Sequence, residues 1–93
     1  MAGIDPIFKY AYAHNGRPRE IRLYEKHLTW FERKLDKTWW YQIVPYRSIS
    51  YLDYAVLDDG PVVFVVAADL KLPVTGSEDE VGAIIGRLTS LIG

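Results

Sequence analysis

The chain of 93 residues contains no cysteine, so a disulfide framework and a thiolate metal site are both excluded. Histidine is nearly absent too. His14 and His27 are too few and too far apart for a metal motif, and both read as structural residues. No long hydrophobic run exists. The longest, "PVVFVVAA" at 61–68, is far short of the roughly 20 residues that span a bilayer. The opening "MAGIDPIFKY" carries Asp5 and Lys9 and no apolar stretch, so no secretory signal is expected there. A soluble, cytoplasmic protein is the expectation.

Recognisable catalytic patterns are missing as well. No glycine-rich phosphate loop occurs, because Gly82 and Gly86 are followed by no Lys-Ser/Thr pair. No serine sits in a nucleophile-elbow pattern. Ser48, beside Arg47, reads as a corner residue bonding to backbone. Asp58-Asp59 precedes Gly60-Pro61 and reads as a turn rather than a carboxylate pair. Neither enzymatic activity nor a cofactor is expected.

Aromatic residues are abundant: three Trp, seven Tyr and three Phe make 14% of the chain. That content, with many β-branched residues, favours sheet structure. Charge is uneven despite a net value of −1. Residues 1–47 hold nine Lys and Arg against five Asp and Glu, and residues 48–93 hold two against seven. A basic half can face an anionic surface, or the two halves can attract each other or a neighbouring copy.

Asn15-Gly16 suits the positive φ angles of a tight hairpin turn. Before it, "IFKYAYA" alternates as a strand does. A short helix with Asp5 as cap and Pro6 at its first position is the rival reading. Further strands are expected at 19–24, 27–33, 38–44 and 49–57, with "KLDK" at 34–37 as a polar loop. After the turn at 58–61 come the β-branched run "VVFVVAA", a bend at Asp69, and a last edge strand containing Pro73. Pro45-Tyr46-Arg47-Ser48 interrupts an aromatic-rich stretch. It is expected where the chain leaves one sheet for another, since a broken ladder costs least at such a corner.

Ser77-Glu78-Asp79-Glu80 fits a capping box, and its acids suit the positive end of a helix dipole. Val81, Ile84, Ile85, Leu88, Leu91 and Ile92 then form one apolar stripe. A helix over 77–92 is predicted. Gly82 and Gly86 inside it each cost about 1 kcal/mol relative to Ala. Either the helix crosses the sheet closely there, which is the preferred reading, or another chain packs against it. The expectation is one mainly β domain over 1–93: six to seven antiparallel strands within 7–74, forming a partly open barrel or sandwich, capped by one C-terminal amphipathic helix.

With "IVPYRSISYLDY", the following turn, "VVFVVAADLKLPV" and the capped helix, the chain resembles the bacterial pleckstrin-homology-like domains over residues 7–92. In that family a segment of the kind I-P-Y-x-x-I links the two sheets, and Val44 to Ile49 stands in its place. The resemblance implies a binding or assembly module without catalytic residues of its own. Trp39 and Tyr41 alternate with Trp40, so if Trp40 lies in the core they face outward. With Tyr24 they are the candidate protein-contact residues, and a protein partner or a second copy is the expected contact. The alternative is peripheral binding to anionic lipid headgroups. Arg17 and Arg19 near one turn and Arg33, Lys34 and Lys37 near another would carry it, with Trp39 or Leu35 at the interface. The overall acidity argues against nucleic acid as the partner.

Overall fold

The computed structural model describes residues 5–93. Residues 1–4, part of the opening segment read above for a secretory signal, lie outside the described residues. Seven strands form two antiparallel meanders. The first sheet contains β1 (Phe8–His14), β2 (Arg17–Leu23), β3 (His27–Arg33) and β4 (Trp39–Pro45), in that order. The second contains β5 (Tyr51–Leu57), β6 (Gly60–Ala67) and β7 (Leu70–Thr75), also in chain order. Helix α1 (Glu78–Ile92) follows. This is the mainly β, helix-capped arrangement the sequence pattern predicts.

Phe8–His14 form strand, not helix. Asn15 and Gly16 take φ of 54° and 74°, as a tight hairpin requires. The second strand begins at Arg17 rather than Arg19 and so includes Pro18, whose side chain is exposed. The fifth begins at Tyr51 rather than Ile49. Between the sheets, Tyr46–Ser48 forms one turn of 3-10 helix after Pro45, at the expected corner. Its Tyr46 is buried, and the phenol is pushed up to about 12 by that burial; its hydroxyl donates to the Tyr24 carbonyl.

The core lies between the inner faces of the sheets and under the helix. Ile21, Leu23, Leu28 and Val44 come from the first sheet, and Val63, Val65, Leu72 and Val74 from the second. Val81, Ile84 and Leu88 are the fully buried members of the helical stripe. Ser77 caps the helix reciprocally: its Oγ accepts from Glu80 N at 3.2 Å, and Glu80 Oε1 accepts from Ser77 N at 2.9 Å.

Gly82 and Gly86 correct an expectation. A Cβ built on either meets nothing within 4 Å, and both positions are exposed. The helix therefore makes no close crossing of the sheet at these glycines. The close approach occurs one residue before the cap, at Gly76, where a Cβ would fall on the Tyr10 hydroxyl.

Candidate interaction surfaces

An amphipathic strand buries one face and exposes the other. Strand β4 departs from this. Trp39, Tyr41 and Ile43 face outward and are exposed, as alternation requires. Trp40 lies on the core side by register, opposite Glu32, yet is 56% exposed. The premise that Trp40 sits in the core is thus corrected. The physical reason is topological: β4 is an edge strand, and the second sheet does not cover its first half.

Strand β5 repeats the pattern. Leu52, opposite Val65, packs on the core. Tyr54 and Val56 share its face, opposite Val63 and Pro61, yet are 50% and 67% exposed. Tyr51 and Leu57 are exposed on the other face. The two strands flanking the corner both lose their cover as they run away from it, and each is the edge of its own sheet.

On the outer face of the first sheet, cross-strand pairing assembles an aromatic and cationic patch. Phe31 stands opposite Tyr41 with ring centroids 4.5 Å apart. The Arg22 guanidinium lies 4.5 Å from the Phe31 centroid, and that of Arg33 lies 5.4 Å from Trp39. Arg22 is also paired with Glu20. A shallow depression of about 190 Å³ runs among Glu20, Arg22, Phe31, Trp39 and Tyr41. Tyr24 is not part of this patch. It sits at the β2–β3 turn, at the opposite end of β3 from Trp39, stacked on His27 with centroids 4.7 Å apart. Phe31 was missed by the sequence reading because only the strand register places it beside Tyr41.

The five candidate basic residues separate. Arg17, Arg19 and Lys34 converge on one carboxylate, Glu32, at 3.6, 3.2 and 2.9 Å. All four sit on the inner side of the first sheet, at the end away from the corner. Arg33 points to the opposite face, over Trp39. Lys37 is exposed in the β3–β4 loop at φ 72°. Burial works to raise the Glu32 carboxyl. The Lys34 hydrogen bond and the charges of Arg19, Lys34 and Arg17 outweigh burial and hold the group below its usual range.

Arg19 is 8% exposed, its Nε has no hydrogen-bond partner among the described residues, and its guanidinium lies over the Trp30 ring at 5.2 Å. Trp30 Nε1 donates to the Tyr12 hydroxyl at 2.7 Å, which in turn donates to the Pro73 carbonyl. Burial raises the Tyr12 phenol far above its ordinary value, so it stays neutral and able to donate. Sequence reasoning missed Glu32, since the sign of a charge is legible and its neighbours across a sheet are not.

His14 ends β1 and His27 begins β3. Among the described residues no three His, Asp or Glu side chains are grouped to hold a metal ion, and no helix is long and apolar enough to cross a membrane. No protein-family model matches the chain, and neither a curated protein nor a solved structure shows significant similarity to it.

Proposed function

We propose that this chain is a non-catalytic interaction module of the pleckstrin-homology-like type, cytoplasmic in its setting, acting through protein–protein contacts and first of all through self-association. The observation that carries the reading is the two-sided exposure of bulky apolar residues on β4, a strand whose outer edge pairs with no other among the described residues. An unpaired edge offers a row of backbone donors and acceptors, and natural edges are commonly guarded by charges. From Trp39 to Val44, β4 has no charged residue. Burying two of its exposed side chains is worth about 3 kcal/mol, close to 100-fold in affinity.

A second reading rests on a different observation. Arg17, Arg19 and Lys34 share the single carboxylate of Glu32 and leave a positive excess. The neighbouring loop tip presents Lys37 and Leu35, the latter 82% exposed. Such a tip suits an anionic headgroup surface with one apolar residue dipping in.

One pair of measurements separates the two. Native mass spectrometry over a concentration series is expected to show species above the 10.7 kDa chain, depleted in the double variant Tyr41→Glu with Ile43→Glu. A strict monomer at every concentration sinks the leading reading. Flotation with anionic and neutral liposomes tests the second. Salt-sensitive flotation with anionic vesicles alone, lost in Lys34→Glu, would move lipid binding to first place.

A further inference from the structure

We propose that copies of this chain join head to tail, the β4 edge of one running antiparallel to the β5 edge of the next. This inference rests on the self-association reading and specifies its geometry. Of the four edge strands, β1 and β7 lie alongside each other, tied by side-chain hydrogen bonds. The edges of β4 and β5 are bare among the described residues, and both lose their cover at the end remote from the corner. A strand added to either edge satisfies its open backbone groups and covers its exposed side chains.

Charge selects the pairing. The segment leading into β4 carries Arg33, Lys34 and Lys37 against Asp36, whose carboxylate is engaged by Thr38, and against Glu32, which Lys34 shares with Arg17 and Arg19, so a positive excess remains. The segment leaving β5 carries Asp58 and Asp59 and no cation. In an antiparallel arrangement the start of β4 lies beside the end of β5, so the basic cluster of one copy meets the acidic pair of the next. A parallel arrangement puts them at opposite ends. Two-fold pairing of β4 with β4, or of β5 with β5, leaves one edge bare and brings neither cluster to its opposite.

The exposed side chains also match in one register. With Trp39 opposite Leu57, Trp40 falls opposite Val56, Tyr41 opposite Ala55 and Gln42 opposite Tyr54. Core-side residues then meet core-side residues, and outward ones meet outward ones. The contact uses two different patches, so it does not close on itself as a two-fold dimer does. It grows into a ring or an open string of copies.

Two variants test this, each blocked on one edge: Tyr41→Glu with Ile43→Glu on β4, and Tyr54→Glu with Val56→Glu on β5. All four residues are exposed, and circular dichroism checks that each variant is folded. Each alone is expected to be monomeric at concentrations where the wild type assembles. Mixed, they are expected to give a 1:1 heterodimer of doubled mass and nothing larger, because one good edge remains on each. An assembling wild type whose blocked variants stay monomeric on mixing overturns the head-to-tail geometry and leaves self-association standing. A monomeric wild type removes both. If a variant does not fold, the wild type itself decides. Its assembly is expected to weaken several-fold from low to high salt as the Lys34–Lys37 and Asp58–Asp59 clusters are screened, and assembly that holds or grows overturns the charge-matched pairing.

Discussion

At Glu32 one carboxylate faces Arg17, Arg19 and Lys34, with its side chain 11% exposed. Removing its charge leaves Arg19 buried against Trp30 without a counterion. The variant Glu32→Gln is therefore expected to cost about 1–3 kcal/mol at neutral pH, measured by urea denaturation. The pH dependence has a definite sign. The folded carboxyl titrates below the ordinary value of 4.5, so over that interval the folded state binds fewer protons than the unfolded chain. The stability it adds is fully present above the ordinary carboxylate range and is lost as pH falls through the lowered folded value. The gap between wild type and Glu32→Gln should accordingly narrow on acidification. A gap that widens instead would show that the ion cluster is not what the substitution removes. Ala68 is a second residue-scale feature hidden in the sequence. It takes φ of 53° in the two-residue turn between β6 and β7, a conformation usually left to Gly or Asn, and the sequence placed the bend on Asp69 alone.

Among the elements, α1 was the most legible, because its signals are local. A capping box spans four residues and a helical stripe recurs every three or four. Its two internal glycines were misread, since a close approach depends on what lies across from the helix. With open space at both, Gly82→Ala and Gly86→Ala are each expected to stabilise the fold by about 0.5–1 kcal/mol, seen as a higher melting temperature. A lower one would place an unseen steric constraint on that face. The strands and the corner at Pro45 were legible for the same local reasons: alternation, turn residues and a missing backbone donor. What could not be read was cover. Period two says that Trp40 and Val44 share a face, and it is silent on how far the opposite sheet extends. The candidate surface was thus half legible: Trp39 and Tyr41 face outward as alternation requires, Tyr24 is elsewhere, and the places of Phe31, Tyr54 and Val56 emerge only from strand register.

Across the whole molecule, one side of the sandwich is tied by side chains. The Tyr10 hydroxyl donates to the Thr75 carbonyl, Tyr12 to that of Pro73, and the Thr75 hydroxyl to that of Ala13, so β1 lies alongside β7. Tyr12→Phe removes both the bond to Pro73 and the acceptor for Trp30 Nε1. It is expected to destabilise the fold by about 2 kcal/mol in urea denaturation, with a near-neutral result showing that solvent replaces the lost partner. The other side, between β4 and β5, carries no strand pairing among the described residues.

That one-sided tie also bears on the order in which the structure can form. Every strand pair within a sheet is a hairpin of neighbours in the chain, so each meander can assemble from short loops. Bringing β1 to β7 instead joins residues 61–65 positions apart, an entropic closure of roughly 3–4 kcal/mol. Two locally built sheets followed by one costly docking make the tyrosine seam the late event in folding. In stopped-flow kinetics, Tyr12→Phe should then speed unfolding and leave the refolding rate nearly unchanged.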